Sequence, residues 1–154
     1  MSEESYSKHF FVSAKPELVY QAITKEIDQW WTELSNEALH VGNKLTVQFE
    51  KTTTWGMTVS ETLTNQFLVW QVTEANHDFE NISTKDEWKG TTIRWKIEEN
   101  ETGSKIFFTH EGLVPTLECY EICEGGWGYF LESLKNYLET GKGNPHKKIP
   151  DGFN

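Results

Sequence analysis

The chain has 154 residues, enough for one domain with a real core, and a formal net charge of −10 from 24 acidic and 14 basic residues, Arg94 being its only arginine. That acidity repels phosphate backbones and anionic headgroups, which argues against nucleic acid and membrane surfaces as partners. Aromatic residues make up 14% of the chain, seven of them Trp, so the sequence holds either a thick aromatic core or an aromatic-lined cavity.

The N-terminal stretch MSEESYSKHF has no basic region and no long apolar run, so no signal peptide is visible. No run approaches the length of a membrane span, and cytoplasm is the default compartment. Tyr6 to Val12 reads as a first strand, with Tyr6, Lys8, Phe10 and Val12 on one side and His9 and Phe11 on the other. Ser13-Ala14-Lys15-Pro16 breaks it. Pro16 suits the first turn of a helix, PELVYQAIT, with Ser13 or a neighbour as its cap. That helix is expected to turn Leu18 and Ala22 inward, with Val19 and Ile23 beside them. A second short helical or turn segment, Lys25 to Trp31, carries Ile27, Trp30 and Trp31 at i, i+3 and i+4.

Strands follow. KLTVQFE places Leu45, Val47 and Phe49 on one face, and Trp55, Met57 and Val59 alternate with Gly56, Thr58 and Ser60. FLVWQV offers Leu68, Trp70 and Val72, and Thr91 to Ile97 offers Ile93, Trp95 and Ile97. After a turn at 99–103, KIFFTHEGL presents Ile106, Phe108 and His110 on one face. Short separations imply an antiparallel meander. Ala75 to Lys85 is polar and weakly patterned, and reads as a longer loop.

The stretch Thr116 to Gly143 contains the clearest helix. Trp127, Leu131, Leu134 and Leu138 recur at i, i+4, i+7 and i+11, and the stripe extends back to Cys123 and Tyr120. Glu132, Lys135, Asn136 and Glu139 fall on the outer side. Gly141 is placed to end the helix in a left-handed conformation, and Pro145 discourages its renewal. Gly125, Gly126 and Gly128 are costly inside a helix, about 1 kcal/mol each against Ala. Their expected compensation is a bend, or a close approach of backbone to sheet or ligand, so Gly126→Ala is expected to destabilise. Residues 144–154 read as an extended, partly mobile tail.

The order is strand, two short helices, five strands and one long helix. A curved antiparallel sheet of six strands wrapped around the terminal helix is the economical α+β solution, and space left between sheet and helix becomes a cavity. Residues 1–154 are expected to form a single domain, with its core over 5–143.

This order and three local motifs resemble the START-like, or helix-grip, superfamily often called SRPBCC. The motifs are SAKPELVYQAIT followed by Trp30-Trp31, then FFTHEGL, then GGWGYFLESLKNYLETG. Within it the resemblance is to the branch named for homologues of the activator of heat-shock protein 90 ATPase. The resemblance covers nearly the whole chain and implies a hydrophobic pocket under the long helix. The superfamily spans lipid carriers, hormone receptors, cyclases, hydrolases and chaperone regulators, so the fold does not fix the function.

No phosphate-binding loop, dinucleotide fingerprint, HExxH or nucleophile elbow is present. Cys119 and Cys123 lie one turn apart, poorly arranged for a disulfide, and two thiols alone do not make a zinc site. His9, His40, His77, His110 and His146 show no ligand spacing. No metal and no cofactor is therefore expected. His110 is the one candidate for acid–base work, against the alternative of a core histidine satisfied by a hydroxyl or carbonyl. The expected ligand site is a cavity lined mainly by Trp55, Trp70, Trp95, Phe108 and Trp127, with Met57, His110, Tyr120 and Leu131 around it. Trp30-Trp31 either seals one mouth of it or covers the sheet edge.

Three functions compete: a binding module for an apolar or amphipathic small molecule, a polyketide cyclase- or hydrolase-like enzyme using the same cavity, and a chaperone ATPase regulator acting through its surface.

Overall fold

The computed structural model describes residues 4–49, 52–79 and 82–147. Its elements run β1 (Tyr6–Val12), α1 (Pro16–Thr24), a single 3-10 turn (Ile27–Gln29), β2 (Lys44–Phe49), β3 (Thr53–Leu63), β4 (Phe67–Asn76), β5 (Thr92–Asn100), β6 (Gly103–Glu111) and α2 (Tyr120–Thr140). The six strands form one antiparallel sheet in the order β1-β6-β5-β4-β3-β2. Chain neighbours pair from β2 to β6, and β1 closes the far edge against β6. The α1 segment therefore carries the chain from one edge of the sheet to the other.

Alternation selects the inner face. Leu45 and Val47, Trp55, Met57 and Val59, Leu68, Trp70 and Val72, Ile93, Trp95 and Ile97, and Ile106, Phe108 and His110 are all buried. The β3–β4 register shifts at Gly56/Met57 and again at Val59/Glu61. Each irregularity adds local twist, which helps curl this sheet around α2.

Pro16 opens α1 as the sequence suggests, but no side chain caps it. Ser13 is engaged elsewhere: its backbone N–H donates to the Glu139 carboxylate at 2.6 Å, tying the strand exit to the end of α2. The inward stripe of α1 is Val19, Ala22 and Ile23, flanked by Tyr20 and Thr24. Leu18, expected inside, is 51% exposed because the i, i+3, i+4 stripe is set by Val19.

Trp30 and Trp31 turn into the interior, and the sheet edge is covered instead by the residues that follow them: Ser35 bridges Val47, and the Gln48 N–H donates to the Leu34 carbonyl at 2.9 Å. Trp30 Nε1 donates to the Ala22 carbonyl at 2.8 Å, and its ring meets Trp95 edge-on at 5.9 Å. Trp31 stacks on both Trp30 and Trp70, at 5.8 and 6.0 Å. Trp95 meets Trp70 and Phe108 edge-on at 5.7 and 4.8 Å. Such pairs contribute beyond the area they bury.

Along α2, Cys123, Trp127, Leu131 and Leu134 are buried, with Tyr120 and Leu138 partly so, matching the expected stripe. Gly141 adopts φ 85° and its N–H bonds the Tyr137 carbonyl at 2.8 Å, the left-handed stop anticipated for it. The three glycines inside the helix depart from expectation. A Cβ built on Gly125, Gly126 or Gly128 meets nothing within 4 Å, so none admits the sheet. The close approach falls at Gly143, where a Cβ would lie 2.5 Å from the Gln29 carbonyl. There Ser133 Oγ donates to the Trp30 carbonyl at 2.8 Å and accepts the Asn144 N–H at 2.6 Å. Beyond it, His146 makes an isolated parallel bridge with Thr32. Residues 148–154 of the expected tail lie outside the described residues.

Candidate functional site

A cavity of about 340 Å³ opens between the first half of α2 and the β2–β3 end of the sheet. The helix contributes Cys123, Gly126, Trp127 and Phe130, which share one side because their spacings are i, i+3, i+4 and i+7, and Ile122, one turn before Gly126, beside them. The strands contribute Phe49, Thr53 and Trp55, Thr52 stands just ahead of β3, and the β4–β5 connection adds Asp78, Phe79 and Trp88. Trp31 and His146 complete the wall.

The wall is held by ring stacking. Trp88 stacks on Trp55 at 4.3 Å and on Trp127 at 5.8 Å, and donates its N–H to Cys123 Sγ at 3.2 Å. Trp31 lies against Trp127 at 4.9 Å, and Phe49 against Trp55 and Phe130 at 5.4 and 5.6 Å. Asp78 is the acid of the lining, and a 2.5 Å ion pair with Lys85 holds its carboxyl below the usual carboxylate range.

Of the residues expected to line the site, Trp55 and Trp127 do. Met57, Trp70, Trp95, Phe108, His110 and Leu131 are directed inward as expected, yet they are packed in the core and stay out of the wall. Tyr120 packs at the core's edge, its hydroxyl donating to Glu124 at 3.2 Å. Space filled by Trp30 and Trp31 accounts for the difference: the indole pair occupies the concavity over Trp70 and Trp95 and displaces the opening toward the start of α2.

His110 is a satisfied core residue. Trp127 Nε1 can only donate, so the 3.1 Å bond to Nδ1 makes that nitrogen an acceptor and puts the proton on Nε2. Nε2 donates to Thr91 Oγ1 at 2.8 Å, and the threonine hydroxyl donates in turn to the Trp88 carbonyl. Burial pushes the imidazole pKa down to about 3, so it is neutral at physiological pH. It braces the cavity's Trp127 and Trp88 from behind.

Sequence reasoning missed Trp88, Phe79 and Phe130 as wall residues. The first two lie in the irregular 77–91 connection, where no period gives a facing direction. Phe130 was within reach, since it stands three residues beyond Trp127 on the helix.

No helix among the described residues is long and apolar enough to cross a membrane. A family model described as Activator of Hsp90 ATPase homolog 1-like protein matches residues 13–139. Among solved structures, the Aha1 dimer from Colwellia psychrerythraea is 28% identical, with a TM-score of 0.72 over 93% of this chain and 100% of its own. A protein from Mesorhizobium loti is 18% identical, with a TM-score of 0.72 over 87% of this chain and 96% of its own. One from Staphylococcus saprophyticus is 22% identical, with a TM-score of 0.67 over 90% and 93%. These two bear on the fold alone. No curated protein matches the chain. With the helix-grip architecture and a family match spanning residues 13–139, the chain belongs to the activator of Hsp90 ATPase homolog 1-like family.

Proposed function

We propose that the protein binds a small apolar or amphipathic molecule in the cavity beside Trp55, Trp88 and Trp127. The supporting observation is the cavity itself. Its volume of about 340 Å³ lies at the low end of the range for small-molecule sites, and four indoles and three phenyl rings line it. Flat apolar walls suit a ring system or a short acyl chain. Thr52, Thr53, Asp78 and His146 supply a few polar atoms for orientation.

Catalysis through His110 has no support in this arrangement, because both ring nitrogens are engaged and the side chain is sealed from the cavity. A chaperone partner, the role suggested by the family description, would act through the surface. The net charge of −10 favours a basic patch on such a partner, and that binding would weaken with salt. Two buried, free cysteines suit a reducing compartment, in keeping with a cytoplasmic protein.

Tryptophan fluorescence titration with fatty acids, sterols and polycyclic aromatics tests the binding reading, run beside Gly126→Leu. The variant's side chain enters the cavity from a helix position whose Cβ is unobstructed, so it blocks the site without disturbing the core. A saturable shift in the natural protein, lost in Gly126→Leu, is expected. No shift with any class, or the same shift in both proteins, overturns the reading.

A further inference from the structure

We propose that His77, Glu87 and Cys119 form a binding site for one zinc ion, behind the cavity wall. One donor atom from each lies within 4.8 Å of the other two, and His77 Nε2 is 3.9 Å from Glu87 Oε1. A tetrahedral zinc spaces such donors roughly 3.3–3.6 Å apart, so a contraction of at most about 1.5 Å closes the site.

His77 carries the argument. Its side chain is fully buried, and neither ring nitrogen has a hydrogen-bond partner among the described residues. Buried imidazoles are ordinarily satisfied, as His110 is on both nitrogens. The groups clustered with it are a carboxylate and a thiol, which with imidazole make the borderline donor set that zinc prefers. A thiolate and a carboxylate also neutralise the ion's two charges.

Two of the ligands lie in the β4–β5 connection and the third leads into α2, and all three are fixed in place. His77 follows β4 directly, its N–H bonded to the Lys85 carbonyl at 2.7 Å. Glu87 accepts the N–H groups of Glu118 and Cys119, both at 2.9 Å, and a carboxylate so used keeps lone pairs for a metal. Cys119 is the residue that leads into α2 and is fully buried. Cys123, one turn on, already receives the Trp88 N–H and is left out of the set. Three protein ligands leave the fourth position open. The His77 ring stands 5.5 Å from Phe79 and 6.2 Å from Trp55, both in the cavity wall, so the metal would stiffen that wall from behind. The proposal does not depend on a ligand entering the cavity.

The test uses the full chain with its thiols kept reduced and cobalt(II) as a spectroscopic probe for zinc. Expected are one cobalt per chain, the d–d bands of a tetrahedral site, a thiolate-to-cobalt charge-transfer band, and displacement by equimolar zinc. Loss of an outer-shell partner alone costs about 10–100-fold in metal affinity, so Cys119→Ser and His77→Gln should each weaken binding at least tenfold. Cys119→Ser should also abolish the charge-transfer band, whereas Cys123→Ser should leave that band in place. A natural protein without that band overturns the proposal. So does a band that survives Cys119→Ser or disappears in Cys123→Ser. If His77→Gln does not fold, the spectra of the natural protein and the two cysteine variants decide alone.

Discussion

Around the second half of α2 the interface is filled: Leu131 and Leu134 close over the interior, Ser133 bonds the Trp30 carbonyl, and Tyr137 donates to Glu26 at 2.9 Å. Around the first half, Cys123, Gly126, Trp127 and Phe130 face about 340 Å³ of cavity. Both halves draw on inward aromatics of the same sheet, so residue type does not separate them. What separates them is the Trp30-Trp31 pair, which fills one end of the concavity. The two histidines that are fully buried among the described residues follow the same division. His110 has both nitrogens bonded, whereas His77, behind the wall of the open half, has neither bonded among the described residues.

The sharpest way to break this comparison is to truncate an aromatic in each half. Trp95→Ala removes a fully buried ring from the filled half and should cost about 3–5 kcal/mol in denaturant unfolding. Phe130→Ala enlarges an opening that already exists and should cost only about 1 kcal/mol. Equal costs would mean that the two halves are packed alike.

His110 gives the division a pH signature. Its folded pKa of about 3 lies below the 6.5 of a free imidazole, so between those values the unfolded chain takes a proton that the folded chain refuses. The stabilising contribution is complete above pH 6.5 and falls by about 1.4 kcal/mol for each pH unit below it, toward pH 3. Unfolding free energies of the natural protein and His110→Gln, measured across that window, should show a flatter slope in the variant. Parallel slopes would mean that the imidazole is protonated in the fold.

The glycines of α2 sharpen the picture at smaller scale. Gly141→Ala forces a Cβ into the left-handed region at φ 85° and should destabilise by about 1–2 kcal/mol. Gly126→Ala meets nothing within 4 Å and should stabilise by up to about 1 kcal/mol through helix propensity, while adding a methyl group to the cavity. The signs are opposite on one helix, and chemical denaturation reads both. Destabilisation by Gly126→Ala would restore the expectation that this glycine admits a close contact.

Much of the fold was legible because its signals are periodic. β1 was read to the residue, and the α2 stripe and the Gly141 stop were visible in spacing alone. The candidate site was legible only in part. Alternation correctly turned Trp70, Trp95 and Phe108 inward, but periodicity assigns a face and cannot say whether the space over it is filled. Filling depends on Trp30 and Trp31, brought over the sheet by the α1 crossover. His77 and Glu87 sit in or beside the segment read as a polar loop, and they meet Cys119 only through folding. Spacing along the chain carries no trace of that encounter.

A small molecule held in the open half of the interface, as proposed, should travel with the protein through purification. Native mass spectrometry of the natural protein and Gly126→Leu, purified side by side, tests it most directly. Expected is a bound small molecule on the natural protein that is released on activation and absent from the variant. Apo masses alone for both proteins, persisting after incubation with fatty acids, sterols and polycyclic aromatics, would contradict it.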